Sequence, residues 1–68
     1  MTLGKRIETK RDSAGLSRTA LAAVVGVTER TVYLWEADTV APRFEFLRPI
    51  ADALGCELTY LIDGSQTE

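Results

Sequence analysis

Residues 17–36 read Ser17-Arg18-Thr19-Ala20-Leu21-Ala22-Ala23-Val24-Val25-Gly26-Val27-Thr28-Glu29-Arg30-Thr31-Val32-Tyr33-Leu34-Trp35-Glu36, a pattern of two short helices folded across a glycine. Ser17 and Thr28 each stand just before a helical pattern. A hydroxyl there accepts the orphan N–H groups of the first turn. Gly26 lies between them and is free to take the left-handed conformation that ends a helix. So few residues then separate Gly26 from Thr28 that the two helices must meet at a steep angle. Ala22 is small enough to let the second helix of the pair approach closely.

The faces of that second helix differ. At about 100° per residue, Val32 and Trp35 fall on one side together with Thr28, which marks the core side. The opposite side carries Arg30, Tyr33 and Leu34, with Glu29 at its rim near the helix N-terminus. A purely structural helix more often places Lys, Glu or Gln toward solvent, so an exposed leucine beside a tyrosine and an arginine points to a contact surface.

The chain has 68 residues, enough for one domain that buries only about 60% of its unfolded surface and leaves little room for a catalytic cleft. There is no histidine, and the single Cys56 cannot form an internal disulfide or a zinc site alone. It reads as a small buried apolar residue. With no paired carboxylates in an apolar pocket either, an enzyme is the least favoured reading, and no metal, cofactor or small-molecule ligand is indicated. No apolar run approaches the roughly 20 residues of a membrane span, and the N-terminus lacks a signal-peptide core. A soluble, cytoplasmic protein is expected.

Eight Lys and Arg face ten Asp and Glu, a formal charge of −2, whereas a DNA-binding domain is usually basic. Distribution matters more than the total. Residues 1–35 hold six basic against three acidic side chains, and residues 36–68 hold two against seven. A basic half containing the two-helix unit is suited to face phosphates while the acidic half points away.

The rest of the chain reads as helices, with no strand alternation and no repeat. A first helix is expected from about Leu3 to Ala14, capped by Thr2, with Leu3, Ile7, Arg11 and Ala14 on one face and Gly15 closing it. Leu16 and Leu21 add to the core. The stretch after Glu36 is a loop, since Pro42 biases Ala41 toward an extended conformation. In the fourth helix Leu47, Ile50, Ala51 and Leu54 form the apolar stripe, and Gly55 stops it. Pro49 leaves two options. A start near Phe44 costs a hydrogen bond and forces a kink, whereas a start near Phe46 puts Pro49 in the tolerant first turn. An irregular first turn is expected. A last helix from about Leu58 to Ile62 ends at Gly64 and brings Leu58, Leu61 and Ile62 to the core or to a second copy. Residues 1–64 make the domain, and residues 65–68 are expected to be a frayed tail.

Lys10-Arg11, Gly15-Leu16-Ser17, Leu21-Ala22, Gly26-Val27-Thr28, Trp35-Glu36, Pro42-Arg43-Phe44, Ile50-Ala51, Leu54-Gly55 and the run from Leu61 to Gly64 occur in an order and spacing that resembles the phage repressor and Cro-type helix-turn-helix domains over nearly the whole chain. The resemblance implies an all-α, five-helix bundle of the lambda-repressor-like type. In it the third helix enters the major groove of double-stranded DNA, the second lies across the backbone, and the protein binds as a two-fold dimer. Carried over position by position, Glu29, Arg30, Tyr33 and Leu34 fall where the family reads base edges. Lys10, Arg18, Thr19, Thr28, Thr31, Arg43 and the amide of Phe44 fall at phosphate contacts. Arg11 and Glu36 match an ion pair that ties the first helix to the end of the third. With the basic half given to DNA, the dimer contact is expected in the acidic half, at Glu57, Leu58, Tyr60 and Leu61.

The chain departs from that pattern in three places. Arg18 replaces the usual glutamine with a fixed charge and a forked donor, which favours phosphate or guanine contact. Glu29 is acidic where many relatives are neutral or basic; it either accepts from a cytosine amino group, pairs with Arg30, or offsets the helix dipole. The loop from Ala37 to Ala41 lacks the basic residues common there.

Two functions follow as expectations. The leading one is a sequence-specific transcriptional regulator, Cro-like or repressor-like, that occupies a pseudo-palindromic operator as a homodimer that is weak off DNA. The alternative is a protein-interaction module, such as an antitoxin or co-regulator domain, that uses its acidic half. Retention of one duplex sequence over random DNA at moderate salt separates them.

Overall fold

A computed structural model describes residues 1–64; the tail expected over 65–68 lies outside the described residues. Five helices follow one another: α1 (Leu3–Ser13), α2 (Arg18–Val25), α3 (Glu29–Glu36), α4 (Phe44–Leu54) and α5 (Leu58–Asp63), with no strand among the described residues. The first three helices start on hydroxyl caps. Thr2 accepts from Lys5 N at 3.1 Å, Ser17 from Ala20 N at 3.0 Å and Thr28 from Thr31 N at 3.2 Å, each satisfying a first-turn donor. Between α2 and α3, Gly26 takes φ 90°, and the amides of Gly26 and Val27 both reach the carbonyl of Ala22. This reversal turns α3 across α2.

Several boundaries differ from expectation. Helix α1 stops one residue early: Ala14 is the cap and is exposed, because the chain has begun to turn into Gly15 at φ 72°. Thr28 is also exposed, not on the core side, since as a cap it lies outside the helical phase. Helix α4 begins at Phe44 and runs unbroken through Pro49, with a first turn tightened by a bond from Phe46 N to the carbonyl of Arg43. Pro49 deprives the carbonyl of Glu45 of its helical donor. Glu45 is exposed, so water can replace it. Helix α5 runs one residue longer than expected, to Asp63.

Ile7, Leu21, Val32, Ile50 and Leu61 are fully buried, and Ala22, Trp35, Leu47, Ala51, Leu54 and Tyr60 complete the core. Trp35, the largest of them, packs its ring against Phe46 at 5.8 Å between centroids. Helix α2 lies on α3 and α4, while α1 spans α3, α4 and α5. That packing corrects part of the expected dimer contact. Helix α5 turns Tyr60 and Leu61 inward against α1 and α4, where they are 8% and 0% exposed, so neither is available to a second copy. Glu57 remains exposed, Leu58 half-buried, and Ile62 about half exposed at 52%.

Arg6 has a role that apolar periodicity does not reveal. Its buried guanidinium donates to the carbonyls of Leu61 and Ile62, each at 3.0 Å, and to that of Met1, closing the end of α5 onto α1. These are last-turn carbonyls, which a helix cannot satisfy by itself. Among the described residues, no helix is long and apolar enough to cross a membrane.

Candidate nucleic-acid interface

The outward side of α3 is built by the burial of its other side. Val32, Trp35 and Glu36 point into the molecule, which leaves Glu29, Arg30 and Tyr33 exposed. Leu34 is half-buried, a correction to its expected exposure. The loop after α3 folds back on this turn, with the amides of Thr39 and Val40 bonded to the Leu34 carbonyl at 3.0 and 3.3 Å.

Glu29 is held by the hydroxyl of Thr19, which donates across from the first turn of α2. It does not pair with Arg30. Among the described residues Arg30 makes no hydrogen bond or ion pair, so its five donors point into solvent from the second residue of α3. Thr31 exchanges a hydroxyl hydrogen bond with Thr28 at 2.9 Å.

Behind this face lies a charge network centred on Glu36, whose side chain is only 2% exposed. Arg11 grips the carboxylate with Nε at 2.6 Å and a terminal nitrogen at 3.2 Å, and gives a further bond to the Leu16 carbonyl. Its hydrogen bond to Glu36 raises the Arg11 pKa further, so the cation is permanent. Arg18 adds a third bond to Glu36 at 2.9 Å and lies 3.8 Å from Glu8, with its guanidinium carbon 5.4 Å from the centre of the Tyr33 ring. Arg18 is therefore engaged within the molecule, and so is Thr19.

The remaining expected anchors lie elsewhere on the surface. Lys10 rests its ammonium over the Tyr60 ring at 4.8 Å. Arg43 is exposed and only loosely paired with Glu45 at 3.3 Å, a contact of small energetic weight in water. It precedes the first residue of α4 without capping it by a side chain, which leaves the first-turn amides, that of Phe44 among them, free of a side-chain acceptor. Partial burial raises the pKa of the half-buried Cys56 thiol, which lowers its thiolate fraction. No group of His, Cys, Asp and Glu suited to hold a metal occurs among the described residues.

An all-α bundle in which a capped, glycine-turned pair presents one helix outward defines a class, and the helix-turn-helix family model matches residues 7–61: the chain belongs to that family. It is 30% identical over 66 residues to repressor protein C2 of Salmonella phage P22, a match covering 97% of this chain and 31% of that protein, so the chain spans about a third of that relative's length. The structure of the P22 c2 repressor in complex with a synthetic operator is similar with a TM-score of 0.90 at 31% identity, covering 96% of this chain and 98% of that one. The N-terminal DNA-binding domain of SinR from Bacillus subtilis is similar with a TM-score of 0.83 at 27% identity, covering 97% of this chain and 96% of that one.

Proposed function

We propose that this chain is a sequence-specific DNA-binding regulator of transcription that occupies an operator with α3 in the major groove. The observation that carries the reading is Arg30: an arginine with no partner among the described residues, on the outward side of α3, beside an exposed Tyr33. The likeness to a repressor solved with its operator supports the same reading. Arg30 supplies a bidentate pair to guanine O6 and N7, and the exposed part of Leu34 meets thymine methyls. Lys10, Arg43, the amide of Phe44 and the hydroxyls of Thr28 and Thr31 serve the phosphates and set the register. Glu29, tied to Thr19, offsets the positive end of α3. This activity is binding and needs no catalytic group.

The proposed assembly is a homodimer, weak off DNA, on a pseudo-palindrome with half-site centres about one helical turn, roughly 34 Å, apart. Its contact lies at Leu58 and Ile62, with Glu57 at the edge. Glu57 repeated across a two-fold opposes close approach, because like charges near an axis must be paired or kept wet.

Selection from random duplexes at moderate salt tests the function. Enrichment of one two-fold-symmetric sequence is expected. Binding that does not discriminate among duplexes rejects the reading and favours the interaction-module alternative.

A further inference from the structure

We propose that Arg18 is a positioning residue for Tyr33, setting how the tyrosine ring meets DNA instead of anchoring a phosphate itself. The proposal rests on the DNA-binding reading above. Its starting point is that Arg18 is held on two sides. Nε bonds Glu36 at 2.9 Å, and a terminal nitrogen lies 3.8 Å from Glu8. Glu36 is itself fixed by the two-point grip of Arg11, and Glu8 is paired at the surface with Lys5 at 2.9 Å. Arg18 shares Glu36 with Arg11 and Glu8 with Lys5, so its charge is offset only in part; what weakens its pull on a phosphate is that its Nε is already donated to Glu36.

The planar guanidinium has another neighbour, the Tyr33 ring, whose centre is 5.4 Å away. Tyr33 and Glu36 are three residues apart on α3, close enough for one guanidinium to reach both. The chain Arg11, Glu36, Arg18, Tyr33 thus runs from the buried side of α3 to its outward side. Tyr33 is 50% exposed, and among the described residues its hydroxyl makes no hydrogen bond. A half-exposed ring without such a neighbour would sample several rotamers and lose that freedom on binding. A guanidinium over its face restrains the ring in advance, and a lysine's compact ammonium lacks the forked donor that holds this guanidinium between Glu36, Glu8 and the ring at once. The hydroxyl is then presented at one place on the interface.

The test compares wild type, Arg18→Gln and Arg18→Lys, each with Tyr33 intact and with Tyr33→Ala. Affinity is measured for the duplex that wild type selects and for its single-base variants, over a series of salt concentrations. Thermal melts followed by Trp35 fluorescence restrict the comparison to temperatures at which every variant is folded. Both Arg18 variants are expected to lose about two- to fivefold in discrimination at the base step that Tyr33→Ala also affects, the size of an exposed cation–π contact. That loss should vanish in the Tyr33→Ala background, and the salt slope should stay at the wild-type value in Arg18→Gln. A slope shallower by about one unit in Arg18→Gln, with Arg18→Lys behaving as wild type, would assign Arg18 to a phosphate and overturn the proposal alone. So would an Arg18 effect that persists without Tyr33. If wild type selects no duplex, the DNA-binding reading fails and this proposal fails with it.

Discussion

Gly4 lies so close to the end of α3 that a Cβ added to it would stand 2.2 Å from the carbonyl oxygen of Trp35. Asp38 completes the contact: in the left-handed conformation at φ 59°, it accepts from Gly4 N at 3.0 Å and from the hydroxyl of Thr2. The start of α1 is thereby docked, backbone against backbone, on the end of the helix proposed to read DNA.

Gly4→Ala should therefore destabilise the domain. Helix propensity alone argues the opposite, a gain of up to about 1 kcal/mol, so the sign of the change decides. A backbone oxygen cannot rotate aside, and overpacking of this kind costs about 1 to 3 kcal/mol, a large part of the roughly 3 to 10 kcal/mol expected for a chain of this size. Urea denaturation followed by Trp35 fluorescence measures it. A variant as stable as wild type would contradict the docking.

Glu36→Gln should cost about 2 to 4 kcal/mol, because it leaves the buried guanidinium of Arg11 with only the exposed Asp12, 3.3 Å away, as a counter-ion. Replacing both partners with apolar residues, Arg11→Met with Glu36→Leu, should cost clearly less than Glu36→Gln alone. Equilibrium denaturation at neutral pH compares the three proteins. Equal losses would mean that the pair contributes shape and not charge compensation.

The outer part of the network carries a pH dependence. The hydrogen bond and charge of Lys5 hold the Glu8 carboxyl below the usual carboxylate range. A group whose pKa is lowered on folding contributes stability above its unfolded value and loses it as pH falls through its folded value. Glu8→Gln should therefore reduce stability slightly at neutral pH. The gap to wild type should close as both proteins are acidified below the carboxylate range. A gap that persists in acid would point to lost packing.

The main lines of the fold were legible because they depend on local rules. Ser17, Thr28, Gly26, Gly55 and Gly64 punctuate the helices where cap and left-handed chemistry require, and Ile7, Val32, Trp35, Ile50 and Leu54 fall on the buried stripes that periodicity marks. What escaped was tertiary. Arg6 looks like an ordinary surface cation until α5 brings its last carbonyls within 3.0 Å. Tyr60 resembles a contact residue until α1 covers it. Family position alone puts Arg18 at a phosphate, but its neighbours Glu8, Glu36 and Tyr33 lie on two other helices, a grouping that only the crossing of α1, α2 and α3 creates.

Arg30→Ala should weaken specific binding by about 1 to 3 kcal/mol, chiefly at one base position in each half-site, through loss of a bidentate pair to guanine. Stability should be little changed, because the side chain is exposed and makes no hydrogen bond or ion pair among the described residues. Affinities for single-base operator variants measure the effect. An equal loss on every sequence, with a shallower salt slope, would place Arg30 on a phosphate.

Two residues of α5 that lie two positions apart differ in burial and so in what their substitution does. Tyr60 is 8% exposed beneath Lys10, and Ile62 is 52% exposed. Tyr60→Asp buries a charge in the core and should unfold much of the domain, so any loss of DNA binding would follow from unfolding. Ile62→Asp removes only the covered half of an exposed side chain and adds a charge in the last turn of α5, so it should cost about 1 kcal/mol and leave the domain folded. If the second copy meets this end of α5, Ile62→Asp should still reduce cooperative occupation of the two half-sites, by placing a like pair of charges near the axis. Sedimentation without DNA and footprinting on the selected operator give the two readouts. A stable Ile62→Asp protein that binds both half-sites with undiminished cooperativity would move the dimer contact away from α5.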